Sequence, residues 1–93
     1  MFEIIASTKF LKDLKLLKRR SINDFQLLQQ LITRLADEGH NGLDKKHRPH
    51  KLSGIYKGYW ECHVKPDLIL IWDEKLEIKL LGLVRIGTHS DLF

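Results

Sequence analysis

Tyr59-Trp-Glu-Cys-His-Val-Lys-Pro-Asp-Leu-Ile-Leu-Ile-Trp72 decides the fold of this chain. Trp60, Cys62 and Val64 alternate with Tyr59, Glu61, His63 and Lys65, the period of a strand with one buried face. Tyr56 extends the apolar series backwards by four residues. Pro66-Asp67 reads as a turn, and Leu68 to Trp72 is continuously apolar, as a central strand is. Asp73-Glu74-Lys75 reads as a second turn, leading into a further strand over Leu76 to Val84. Register then fixes sidedness, with His63 on the opposite face of the sheet from Cys62.

Upstream the period changes from two to three or four. Met1 to Ser7, with β-branched Ile4 and Ile5, reads as a first strand. Ser7 or Thr8 can cap a helix running to about Arg19, with Phe10, Leu14 and Leu17 at helical spacing. Ser21 with Asp24 opens a second helix, whose stripe is Phe25, Leu28, Ile32 and Leu35 and whose stop is Gly39. Gly39 to Pro49 is a polar loop, long enough to carry function. The fold expected is α+β. It has an N-terminal strand, a helical hairpin, then antiparallel strands forming a small twisted sheet with helices on one face and the other face open. Phe10, Leu14, Leu28, Ile32, Trp60, Val64 and Leu70 should share its core.

Ninety-three residues suit one domain over 1–93. Hydrophobic residues at 43% and charged residues at 30% are globular values, fitting neither disorder nor a membrane protein. Leu68 to Trp72 is far too short to span a bilayer, which takes about 20 apolar residues. The start MFEIIASTKF lacks the features of a secretory signal, and the one cysteine, Cys62, excludes an internal disulfide, so a cytoplasmic protein is expected. Net charge is +4 and the pI about 9.3. Basic residues gather at Lys9 to Arg20 and again at Lys45, Lys46, Arg48, Lys51 and Lys57. Clusters of this kind favour a phosphate-rich partner through counterion release.

Four histidines, His47, His50, His63 and His89, fall in loops or on the polar strand face. A metal site built from Cys62, His63, His47 and His50 is disfavoured, because adjacent strand residues point to opposite faces and no CxxC or HExxH pairing occurs. The same geometry disfavours a Cys–His nucleophile pair. Gly54 to Gly58 has neither P-loop spacing nor a following helix. Histidines with arginine and lysine do suit RNA phosphodiester cleavage. The substrate brings its own nucleophile, the 2′-hydroxyl, so the protein needs only a base, an acid and cations, and neither cofactor nor metal.

Three segments in order then resemble a known family. His50-Lys-Leu-Ser-Gly-Ile-Tyr-Lys-Gly58 is similar to an H-x-L-x-G-x-(aromatic)-K-G segment. His63-Val-Lys-Pro-Asp67 followed by Leu68-Ile-Leu-Ile-Trp72 is similar to an H-(V/I)-x-P-D-(W)-(I/L)-L-I-(aromatic) segment. Arg85-Ile-Gly-Thr-His89-Ser-Asp-Leu-Phe93 is similar to an R-x-G-T-H-x-x-L-F ending. These are segments of the RelE/ParE superfamily of type II toxins, and within it of the YafQ-like mRNA interferases. The resemblance spans essentially the whole chain.

That resemblance implies a toxin that cleaves mRNA on the ribosome and is silenced by a cognate antitoxin in a hetero-oligomer. It places His50, His63, Asp67, His89 and Phe93 in the active site, with Arg85 where a transition-state cation would serve. His89 is the expected acid for the leaving 5′-oxygen. His50 or His63 is the base, Asp67 orients one of them, and Phe93 walls the pocket or stacks on a base. Many relatives carry Trp after the aspartate. Here the residue is Leu68, which bears on codon preference and on strict ribosome dependence. The alternatives on this fold are a ParE-like topoisomerase inhibitor, which needs no histidine set, and a ribonuclease acting on free RNA. An acidic antitoxin segment is expected across the helices or the sheet edge.

Overall fold

A computed structural model describes all residues, 1–93. Strand β1 (Glu3–Ala6) leads into helices α1 (Thr8–Arg20) and α2 (Ile22–Glu38). Ser7 Oγ accepts from the Phe10 amide and Ser21 Oγ from the Asp24 amide, so each helix starts where its serine satisfies an otherwise orphaned N–H. After Gly39, whose φ of +67° suits a residue without a side chain, the chain runs through short 3₁₀ turns to β2 (His50–Lys51). Strands β3 (Trp60–Lys65), β4 (Leu68–Lys75) and β5 (Leu80–Gly87) follow, and a one-turn helix α3 (His89–Leu92) ends the chain.

The five strands lie in the order β1-β5-β4-β3-β2. Neighbours are antiparallel except β1 and β5, which run parallel. The helices cover one face. Leu28, Leu35, Cys62, Leu70, Trp72 and Leu81 are completely buried there, and Leu14, Ile32 and Trp60 pack at the margin. Of the core positions expected from periodicity, Phe10, Leu28, Val64 and Leu70 are buried in this one cluster, and Leu14, Ile32 and Trp60 are partly buried against it.

Three expectations need correction. Asp73-Glu74-Lys75 is not a turn: these residues continue β4, paired with Gly82, Leu81 and Leu80, and the chain reverses later, at Leu76–Lys79. Glu74 is tolerated because its carboxylate accepts from the Trp72 indole and the His40 backbone amide, and also meets the His40 ring. Tyr56 does not join Trp60 and Cys62, because a 3₁₀ turn at Gly54–Tyr56 breaks the alternation and sends it to the other face. Nor is that other face open. Ile69 and Ile71 are buried there under Leu92 of α3, with Leu52, Tyr56, Tyr59 and Val84 around them. No helix is long and apolar enough to cross a membrane.

Candidate active site

The second face of the sheet gathers the chemistry. His63 pairs across the ladder with Ile69, placing it on this face, while Cys62 is wholly buried under the helices. Burial pushes the Cys62 thiol up to about 12, so no thiolate is available near neutral pH.

Hydrogen bonds, one step along the chain and ring contacts then link the sequence-predicted residues. His50 Nδ1 donates to the Arg48 carbonyl at 2.8 Å, and its Nε2 faces Glu61 Oε2 at 3.1 Å. The Arg48 guanidinium reaches His63 Nε2 at 3.3 Å, and His63 Nδ1 donates to the Pro66 carbonyl at 3.2 Å. The next residue, Asp67, accepts the His89 backbone N–H at 3.1 Å. The His89 ring lies 5.0 Å from the Phe93 ring, which meets Tyr56 edge-on at 5.6 Å. The Tyr56 hydroxyl sits at the Leu92 carbonyl and beside the Arg85 guanidinium. His50, His63, Asp67, His89, Phe93 and Arg85 therefore form one connected strip.

The three histidines present different nitrogens. The His63 contacts are those of a ring protonated at Nδ1, with the Nε2 lone pair turned towards Arg48. Both His50 nitrogens face acceptors. His89 is exposed and its ring nitrogens have no protein partner. Asp67 holds the backbone of the His89 turn, not an imidazole, so it orients His89 at one remove.

Arg85 differs from its expected role. Its Nε and Nη2 clasp both oxygens of Asp13 on α1 at 2.7 and 3.0 Å, and Asp13 also accepts the Ile86 amide. That hydrogen bonding pushes the Arg85 pKa further up and matches its charge with a carboxylate.

The basic cluster divides as well. Lys45, Lys46, Arg48 and Lys57 are exposed on the loops flanking β2. Lys51 turns the other way, its ammonium 5.9 Å from the Trp60 ring on the helix side, because adjacent β2 residues face opposite sides. Lys51 is therefore not placed with the histidines. Leu68 is 3% exposed in the helix-side core and pairs with no element of the strip.

Sequence reasoning missed Asp13, Glu61 and Tyr56. Glu61 had a signal, since it shares the polar alternation of His63, yet only the β2–β3 pairing reveals His50 beside it. Asp13 lies 72 residues from Arg85 and carries no local signal.

Two recesses flank the strip. A groove of about 950 Å³ runs from His63 and Arg48 towards α2, lined also by Arg34, Lys46 and Lys65 and by no carboxylate. A smaller cleft of about 410 Å³ lies at Arg85, where Asp13, Asp24, Asp67 and Asp91 all contribute to the wall.

Residues 2–93 match the family model described as a bacterial toxin of a type II toxin–antitoxin system, YafQ. The chain belongs to the YafQ toxin family. It is 41% identical over 91 residues to the mRNA interferase toxin YafQ of Escherichia coli K12, covering 98% of this chain and 95% of that protein. Against the toxin structure from the E. coli DinJ–YafQ complex it has a TM-score of 0.87 at 38% identity, covering 100% of this chain and 99% of that one. A metal-bound toxin from Helicobacter pylori superposes with a TM-score of 0.87 at 43% identity, with both chains covered completely. In the present chain no three His, Cys, Asp or Glu side chains converge on one point.

Proposed function

We propose that this toxin is an endoribonuclease that cleaves mRNA on the ribosome by attack of the substrate's own 2′-hydroxyl, leaving a 2′,3′-cyclic phosphate and a 5′-hydroxyl. The observation that carries this reading is the connected strip from His50 through His63 and Asp67 to His89, on one face of the sheet. His63 has the lone pair a base needs, at Nε2, with its orientation fixed through Nδ1. His89 offers an unengaged ring to the leaving 5′-oxygen, on a turn anchored by Asp67. His50, held between the Arg48 carbonyl and Glu61, fixes the loop that faces His63. The scheme calls on no metal and no cofactor. Exposed Lys45, Lys46 and Lys57 draw in the RNA backbone, with a log-log salt slope of about −0.7 per phosphate neutralised on single strands.

The name of the E. coli relative, mRNA interferase, supports the substrate class, and its co-structure with DinJ supports a cognate antitoxin for this chain too. Purified protein is incubated with an mRNA, with and without ribosomes, and the cut ends are analysed. Cleavage only on ribosomes with cyclic phosphate ends is expected. Equal cutting of naked RNA removes the ribosome from the reading. Intact mRNA in both arms, with topoisomerase inhibited instead, overturns it.

A further inference from the structure

We infer that Arg48, and not Arg85, is the catalytic cation that meets the non-bridging phosphate oxygens in the transition state. The inference rests on the ribonuclease reading and assigns it a residue. In-line attack of the 2′-oxygen puts negative charge on the oxygens of a five-coordinate phosphorus, and a preorganised donor beside that phosphorus is the largest help a protein can give. Arg85 cannot readily be that donor. Two of its donor nitrogens and its charge are already taken by Asp13, and in the cleft around it four carboxylates, Asp13, Asp24, Asp67 and Asp91, outnumber the cations Arg20, Lys65 and Arg85.

Arg48 is the opposite case. It is exposed, forms no ion pair with any carboxylate, and opens onto the groove whose charged lining residues, Arg34, Lys46, Arg48 and Lys65, are all cations. Its position is also specified. Its φ of +47° is a left-handed conformation that a residue with a side chain seldom adopts. Three contacts hold it there: its amide on the Lys45 carbonyl, its carbonyl on His50 Nδ1, and its guanidinium on His63 Nε2. Strain kept up at a residue that joins two site histidines points to a role for its side chain.

The contact with His63 supplies the sequence of events. In the free protein Arg48 occupies the lone pair of the base. As RNA arrives, the guanidinium transfers its hydrogen bond from the imidazole to a phosphate oxygen, and His63 Nε2 is freed beside the 2′-hydroxyl. The 2′-O–P bond then forms as that proton passes to Nε2. The P–O5′ bond breaks as the leaving oxygen takes a proton from His89, so proton gain and loss balance. Base activation is thereby tied to the presence of a phosphate.

The test uses Arg48→Gly, because glycine accepts the left-handed backbone and the loop can keep its path, together with Arg48→Lys, which keeps charge but not the planar fork. Single-turnover cleavage is measured at saturating mRNA under the conditions in which the unaltered protein cuts. We expect Arg48→Gly to lose about 10²-fold or more in the cleavage rate, on the scale of removing one transition-state donor. RNA affinity should fall far less, and Arg48→Lys should recover part of the rate. Sulfur replacing one non-bridging oxygen of the scissile phosphate should slow the unaltered protein and have little effect on Arg48→Gly. A deficit that vanishes at saturation, or the same sulfur effect in both proteins, overturns the assignment while the ribonuclease reading stands. An unaltered protein that cuts no RNA overturns both.

Discussion

The histidine-bearing loop around β2 and the histidine-bearing tail after β5 are built on opposite principles. In the loop the site side chains are themselves the fastenings: His50 bonds the Arg48 carbonyl and faces Glu61, Arg48 reaches His63, and His47 Nδ1 donates to the His63 carbonyl at 2.7 Å. In the tail the backbone is fastened and the histidine is left free. Thr88 and Asp91 form a reciprocal capping box around α3, Asp67 takes the His89 amide, and Leu92 is buried against Ile69 and Ile71. A base that needs its lone pair kept in a fixed direction suits the first arrangement. An acid that must reach a leaving oxygen suits the second.

The largest effect that can break this division is chemical. Replacing His89 with alanine should slow the cleavage step by about 10²-fold or more, as loss of a general acid does, with RNA binding nearly unchanged. A 5′-bridging sulfur leaves without protonation and should restore much of the rate to His89→Ala but not to His63→Ala. Single-turnover kinetics on the thio-substituted RNA measures both. Equal rescue of the two variants would erase the distinction between an acid on the tail and a base across the sheet.

Stability should show the reverse order. His50→Ala removes the partner of Glu61, which is 7% exposed, and a buried acceptor left unpaired costs about 1–3 kcal/mol. His89→Ala removes an exposed ring with no polar partner and should change stability by about 0.5 kcal/mol or less. Urea unfolding of the two variants compares them directly. Should His89→Ala prove the more destabilising, the tail is held by its imidazole and not by its caps.

The same contrast explains what could be read from residue order. Helix starts at Ser7 and Ser21 and the sidedness of Cys62 and His63 arise from local spacing and appear as expected. The α2 stripe is met only in part: Leu28 and Leu35 are buried, Leu31 joins them, Ile32 packs at the margin and Phe25 stays outside the core. The tail is nearly as legible, since Thr88-x-x-Asp91 is a local capping pattern. What escaped is long-range. Asp73 to Lys75 has turn-like composition, but pairing with β5 holds it in the sheet, and His40, 34 residues away, meets Glu74 there. Nothing in Glu3 to Ala6 announces that β1 runs parallel to β5. The loop histidines were visible as residue types, yet their partners Glu61 and Arg48 come into place only once β2 pairs with β3. The Asp13–Arg85 clasp likewise needs α1 laid against β5.

The smallest effect concerns the tail's own fastening and its dependence on pH. The Thr88 amide donates to Asp91 Oδ2 at 3.0 Å, while the Asp91 amide donates to Thr88 Oγ1 at 3.2 Å. The backbone bond from Thr88, with its side-chain bond second, holds the Asp91 carboxyl below its ordinary value. A carboxylate favoured in the folded state contributes stability that is complete above the unfolded carboxyl range and is lost as pH falls through the lowered value. Asp91 is exposed, so this contribution is screened and confined to the last turn. Acidification should therefore loosen α3 before it unfolds the sheet, seen as faster hydrogen exchange at the Leu92 and Phe93 amides, which bond Thr88 and His89 carbonyls. Asp91→Asn keeps an acceptor oxygen but cannot titrate, so its tail should exchange slightly faster near neutrality and show no acid-induced step. Thr88→Ala, which removes the other half of the box, should cost about 1 kcal/mol, within the usual range for an N-cap. If both variants leave tail exchange and cleavage untouched, the caps are incidental, and burial of Leu92 alone holds His89 at the site.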